Sequence, residues 1–329
     1  MRVAVLYSQD DGLRNGAAVD AIAVRAGAEA AEAVLKACRE NGWQADRIDV
    51  GIDLVPLLAA VREATVVVNL AESVGGDPGL EPAVAWLLEW SGLPFTGASG
   101  AALAVALDKP VANAVLTAAG VAVPRGCVLS TGEEPLPALR YPAIVKPARH
   151  DASHGIDDRS VVADADAARE RARRVITRYA QPALVEEFID GREFAVGLLA
   201  GDVLPIREVA FRHPHRVVTY EAKWAPDSAA FAATPVRPAD ALETGLSERV
   251  ASTARRAWAA LGLRGYARVD IRLDRSGDPV VLDVNPNPDL SPDAGLAAAA
   301  AHAGIDYVRL VRLIVEDALH HRAPAPAPR

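Results

Sequence analysis

Short apolar runs alternate with longer helical patterns through the first hundred residues. Residues 3–6, 45–50 and 65–70 read as strands, because short apolar runs bounded by turn signals suit a buried strand. Between them the Ala-rich stretch 17–41 predicts a helix that ends on Gly42, a residue that caps helices without steric cost. Further helices are expected over 54–63 and 82–91, the second broken by Leu93-Pro94. Strands that alternate with helices predict a parallel, doubly wound sheet.

The pattern changes after residue 106, where a lobe boundary is placed just ahead of Asp108-Lys109. A second lobe is expected to hold a helix through Ala118, strands near 126–129 and 143–146, and a helix over 165–179. A third holds strands at 183–188 and 193–199, and helices at 247–261 and 307–318. The expected limits are 1–106, 107–180 and 181–320, with the Pro/Ala-rich run 321–329 as a disordered tail.

Two strands of the third lobe carry candidate chemistry. In 266–273, Tyr266, Arg268, Asp270 and Arg272 alternate with Ala267, Val269, Ile271 and Leu273, the signature of a half-buried strand. A turn-rich stretch separates it from 280–285, so the two predict an antiparallel hairpin. With a turn centred on Ser276-Gly277, Asp270 faces Asp283 and Arg268 faces Asn285. Directly opposed side chains have Cβ atoms roughly 4.5–5.5 Å apart and like charges there repel, so a cation is expected between the aspartates. Hard oxygen ligands beside an Asn amide suit Mg²⁺ that bridges nucleotide phosphates. The plainer alternative is a solvated hairpin face with an Asp–Arg salt bridge. The apolar flanks on both strands favour the site.

Composition narrows the class. A chain of 329 residues, 51% hydrophobic, buries a full core in two or three lobes. A net charge of −8 disfavours a nucleic-acid partner, since phosphate backbones select basic faces. Cys38 and Cys127 form neither a metal spacing nor a disulfide framework, which suits a reducing compartment. No apolar run reaches the ~20 residues of a membrane helix, and Met1-Arg2 leads straight into apolar residues without a leader pattern. A cytoplasmic protein with no membrane partner is expected. No G-x-x-x-x-G-K-S/T loop and no G-x-G-x-x-G after the first strand is present, which argues against P-loop and Rossmann enzymes.

Several segments resemble the ATP-grasp superfamily, and within it the D-alanine–D-alanine ligase-like branch. They are Gly92-Leu93-Pro94-Phe95-Thr96-Gly97, Asp108-Lys109, Tyr141-Pro142-Ala143-Ile144-Val145-Lys146-Pro147, Glu186-Glu187-Phe188-Ile189-Asp190-Gly191-Arg192-Glu193, Glu221-Ala222-Lys223, Ala267-Arg268-Val269-Asp270 and Asp283-Val284-Asn285-Pro286-Asn287-Pro288. Each is weak alone; their order and spacing together are specific. The resemblance implies an α/β ATP-grasp fold, with an N-terminal doubly wound lobe and two α+β lobes that clamp a nucleotide. It implies that Lys109 and Lys146 hold phosphates, as compact point charges. Ser153 and Gly155 would belong to a flap, 149–155, over those phosphates. Glu186, Glu187, Phe188 and Ile189 resemble a hinge whose backbone binds adenine, and Glu193 the acid that holds the ribose. Lys223 resembles a loop lysine that closes on the γ-phosphate, Arg268 the arginine that stabilises an oxyanion, and Asp270, Asp283 and Asn285 the magnesium ligands.

The implied cofactors are ATP and two Mg²⁺ ions, with Mn²⁺ as a substitute, and the implied partners are a small carboxylate and an amine. A homodimer is left open. The implied activity is that of an ATP-dependent carboxylate–amine ligase: the γ-phosphoryl group passes to the carboxylate and the amine displaces it. Three departures bear on this. Asp283 stands where the family usually has Glu, Asp289 where it has Gly, and Asp151-Ala152 where the flap has Gly and Ser. A nucleotide-binding protein that has lost ligation is therefore a second reading, though both phosphate lysines, Lys223, Arg268 and Asn285 remain. Counted from Gly42, Arg25 falls nearest the glutamate that binds an ammonium group in D-alanine–D-alanine ligases. Counted from Asn285, Ala294-Gly295 replace a Ser-Leu pair that helps hold a carboxylate. These changes point to another amino-acid-like substrate pair, with the true D-alanine–D-alanine ligase of cell-wall synthesis as the rival.

Overall fold

The computed structural model of the protein describes residues 1–10, 12–16, 21–213 and 216–321, and of 21–26 the backbone only. The expected helix start at 17–20, the Arg25 side chain, His215 and the tail from 322 lie outside the described residues.

In the first lobe β1 (Arg2–Ser8), β2 (Gln44–Val50) and β3 (Val66–Leu70) form a parallel sheet in the order β2-β1-β3. Helices α1 (Ala21–Glu40), α2 (Val55–Val61), α3 (Glu81–Ser91) and α4 (Gly100–Leu107) surround it. Val3, Val5 and Tyr7 of β1 pack with Val34 and Leu35 of α1. Ala4 and Leu6 face the other way, towards Leu57 and Val61 of α2 and Val84 and Leu88 of α3. Burial on both faces explains why residues 3–6 form an unbroken apolar run and do not alternate.

Helix α5 (Lys109–Ala118) leads to the central lobe, where β4 (Gly126–Leu129), β5 (Ala143–Pro147), β6 (Val161–Val162) and β7 (Ala183–Glu187) form an antiparallel sheet, β4-β7-β5-β6. The helix α6 (Ala165–Tyr179) buries Ala168, Ala172 and Val175 against Leu129, Val145 and Val185, in a core of its own. The third lobe contains β8 (Glu193–Leu199), β9 (Asp202–Val203), β10 (Arg207–Val209), β11 (Val236–Pro238), β12 (Tyr266–Leu273) and β13 (Pro279–Asn285), in the order β11-β10-β8-β12-β13 with β9 on β8. Its helices are α7 (Tyr220–Trp224), α8 (Ala229–Ala232), α9 (Thr244–Ala260), α10 (Gly295–His302) and α11 (Tyr307–His320). No single helix among the described residues is long and apolar enough to cross a membrane.

The sheets divide the chain differently from the sequence reading in two places. β7, expected in the third lobe, bonds between β4 and β5 of the central sheet. α5, expected in the second lobe, buries Ala112 and Leu116 with residues of the first and third lobes. Local pattern marks an element but not the sheet or core that it joins. The first and third lobes share two cores: Leu310 and Ile314 of α11 pack with Val34 of α1 and Val66 of β3, and Val269 and Val284 with Leu6 and Leu88.

The hairpin β12–β13 pairs Asp270 with Asp283 and Arg268 with Asn285, as the sequence predicts, but by a different route. Near the turn Ile271 faces Val281, and the register shifts between Asp270 and Ile271. Leu282 is thus an extra residue in β13, a β-bulge of the kind found beside functional sites. The turn itself is wider than a two-residue turn, with Gly277 in the left-handed region at φ 82°.

Candidate active site

Three residues on one face of β12, Arg268, Asp270 and Arg272, line a cleft between the central and third lobes, and the fourth, Tyr266, is buried where the first lobe packs on the third. Ala267, Val269, Ile271 and Leu273 enter the core, which leaves Tyr266, Arg268, Asp270 and Arg272 on the opposite face. At about 3.3 Å per residue these four side chains span about 20 Å. Arg272 lies at the hinge end, where Glu193 accepts from its Nε at 2.7 Å and the Ile189 carbonyl from its Nη1 at 2.8 Å. It also donates to the Arg216 carbonyl and lies 4.9 Å from the Phe188 ring centroid. Burial raises the Glu193 carboxyl above its ordinary range, opposed by Arg272.

This end encloses a cavity of about 920 Å³ that touches Lys109, Lys146, Ser153, Glu186, Glu187, Phe188, Ile189, Glu193, Lys223, Arg268, Asp270, Asp283 and Asn285. Every site residue expected from sequence therefore lines one cleft. Lys146, at the end of β5, pairs with Glu186 at 2.7 Å and donates to the carbonyl of the bulged Leu282 at 3.5 Å. Glu186, 1% exposed, also accepts from Asn113. Glu187 turns its side chain away, to Arg140 at 3.0 Å; burial would raise its carboxyl, but the Arg140 contacts outweigh that and hold it low. In the hinge the Phe188 N–H is taken by the Pro142 carbonyl, and Ile189 lines the cavity.

At the middle of the strand, Arg268 donates to both Asp270 oxygens, at 2.8 and 2.9 Å. Lys109, on the first turn of α5, is buried and donates to Asp283 at 2.7 Å and to Asp151 of the flap at 2.9 Å. Burial would lower the Lys109 ammonium, but the two carboxylates overcome this and raise it. The Asp283 carboxyl is held low, because Lys109 and Lys146 outweigh its burial. The protein thus pairs each opposed aspartate with a cation of its own, Arg268 with Asp270 and Lys109 with Asp283, and the Asp–Arg pair of the plainer alternative is present.

A metal fits this donor set. Asp270, Asp283 and Asn285 offer hard oxygens on one hairpin face, and no cluster of three acidic, His or Cys side chains among the described residues could hold an ion alone. Phosphate oxygens would complete the shell, the usual arrangement for Mg²⁺.

A second cavity of about 850 Å³ opens beyond Asp151, Lys223 and Asn285 towards the first lobe. Its lining includes Glu72, Glu81, Trp224, Asn287 and Asp289, none of which the sequence singled out for chemistry except Asp289, as a departure. Tyr266 donates to Asn287, which in turn donates to Glu81 at 3.0 Å and to the Ala71 carbonyl. Glu81 is 7% exposed; burial, then Asp151, pushes its carboxyl well up. Desolvation within the cleft and the charge of Asp289 bring Glu72 up to about 7. The signal for these residues is long-range: Glu72 and Glu81 reach the site only through the packing of the first lobe on the third.

The fold and the site together define an ATP-grasp enzyme, an ATP-dependent carbon–nitrogen ligase. The family model described as D-ala D-ala ligase C-terminus matches residues 129–316. The chain is 34% identical to a D-alanine–D-alanine ligase of Gluconobacter oxydans, over 88% of this chain and 92% of that protein. It is 33% identical to another from Stutzerimonas stutzeri, over 97% and 94%. An uncharacterised protein of Sinorhizobium fredii is 36% identical over 79% of this chain and 76% of its own length. A Bacillus anthracis D-alanine–D-alanine ligase solved with ATP superposes with a TM-score of 0.75 at 23% identity, covering 98% of both chains. The chain belongs to the D-alanine–D-alanine ligase family.

Proposed function

We propose that the protein joins a small carboxylate to an amine through an acyl phosphate, with ATP in the hinge cleft and Mg²⁺ at Asp270, Asp283 and Asn285. The observation that carries this reading is the convergence of Lys109, Lys146, Lys223 and Arg268 with that hairpin on one cavity. Ile189 and Glu193 would hold the nucleoside, and Lys109 and Lys146 its phosphates. Lys223 would balance the charge spread over the transferred phosphoryl oxygens. Mg²⁺ would supply further neutralisation of that charge. Arg268, which lines the nucleotide cavity with Lys223 and Asn285, would stabilise the oxyanion formed when the amine attacks. No nucleophilic side chain is required, since phosphorylation creates the leaving group.

The second cavity would take the substrates. Its lining sets Asp151 and Asp289 against Lys223, while Glu72 and Glu81, whose carboxyls are pushed up, can donate as well as accept, a polar setting that suits an amino-acid-like molecule. Ala294 caps α10 with no side-chain hydrogen bond and has no hydroxyl to offer a carboxylate. The missing hydroxyl at Ala294 supports a substrate pair other than two D-alanines. The test is ADP release by purified protein with Mg-ATP across a panel of amino-acid pairs. Turnover with basic or bulkier pairs and little with D-alanine alone is expected. Efficient D-alanyl-D-alanine formation would restore the relatives' reaction, and no ADP release with any pair would favour the non-ligating reading.

A further inference from the structure

Resting on the nucleotide reading above, we propose that Asp151 is a built-in competitor of nucleotide phosphate for Lys109, which latches the flap over the phosphate site.

Lys109 is 6% exposed, and its ammonium is pinned between Asp283 and Asp151 at 2.7 and 2.9 Å. The two carboxylates differ in origin. Asp283 is fixed on the hairpin, whereas Asp151 arrives from the flap. With both acids bound, the ammonium keeps one of its three N–H donors for a phosphate. An arriving phosphate meets the Asp151 carboxylate as a like charge, so binding favours ion exchange at Lys109.

The flap is built to let go. Ala152 and Ser153 follow Asp151 with φ of 56° and 60°, two successive non-glycine residues in the left-handed region, a costly conformation that persists only where neighbours enforce it. Around them His150 and His154 are anchored against the Tyr179 and Tyr220 rings, which confines the strain to the tip of the flap. Trp224 donates through Nε1 to the Ala152 carbonyl at 2.9 Å, and Arg149 pairs with Asp108 at 2.7 Å. Trp224 is next to Lys223, so the latch also ties the flap to α7, whose Lys223 would reach the γ-phosphate. Asp151 borders both cavities, which gives its released carboxylate a place to go.

The test compares wild type with Asp151→Asn and Asp151→Ala. Calorimetry measures binding of adenylyl imidodiphosphate with Mg²⁺, and of adenosine, which has no phosphate to reach Lys109. Both variants should bind the triphosphate analogue about two- to tenfold more tightly, the scale of one partly exposed ion pair removed as a rival. Adenosine affinity should stay the same. Unchanged or weaker analogue binding in both variants overturns the latch, as does an equal shift for both ligands, which would mark general loosening. A wild-type chain that binds neither ligand overturns the nucleotide reading itself.

Discussion

Lys223 is the cation of the cleft that titrates nearest neutrality. Burial and the Arg268 guanidinium bring its ammonium down to about 8, against the pull of Asp270 and Glu72. Above that pH the folded chain gives up a proton that the unfolded chain keeps to about 10.5, so folding gains stability while the phosphate site loses charge. Affinity for ATP should therefore weaken as pH rises past 8. Lys223→Arg, which does not deprotonate, should flatten that limb; an unchanged alkaline fall would assign it to another group. Arg268→Ala should lower turnover by roughly 10²–10³, the loss of one oxyanion donor, with little change in ATP affinity. A weaker ATP affinity at constant turnover would reassign the residue to the nucleotide. Asp270→Asn and Asp283→Asn should each cost about 10² or more in Mg²⁺-dependent turnover, and each should lower the melting temperature by leaving Arg268 or Lys109 short of a carboxylate. Asp283→Glu should keep or raise activity, since it restores the longer acid usual in the family.

At the scale of the element, the hairpin shows what a local pattern can and cannot give. Alternation along 266–273 was legible because one face of β12 is core and the other cleft. The opposition of Asp270 and Asp283 was also legible, although the turn is wider than assumed and the Leu282 bulge restores the register. A bulge leaves no mark in composition, so the role of the Leu282 carbonyl beside Lys146 could not be read. Arg272 was visible as a polar strand residue, but its grip on Glu193 and Ile189 depends on β8 and the hinge folding back over it. The hinge loop has little room: a Cβ on Gly191 would sit 1.8 Å from the Leu273 carbonyl oxygen. Gly191→Ala should thus displace the loop, cost about 1–3 kcal/mol in thermal or denaturant unfolding, and weaken ATP binding. Normal stability and affinity in that variant would show that the hinge tolerates the shift.

For the whole molecule, the division of cores sets which parts move. The central lobe has its own core, whereas the first and third lobes share two. Amides of β5, β7 and α6 should exchange hydrogen in a separate, earlier-opening unit than those of β1 and β12. Saturating Mg-ATP analogue should slow that unit most, since the nucleotide cavity bridges the two bodies. Equal slowing everywhere would mean one cooperative block. The shared cores also govern how the chain is made. Val66 and Val68 of β3 wait for Leu310 and Ile314, so the β3 end of the face that α1 covers stays apolar and open until nearly the whole chain has left the ribosome. Only the central lobe can close early. A ribosome stalled between α10 and α11 would present that bare face to any neighbour, and a chaperone that binds apolar strands should be found there and nowhere later.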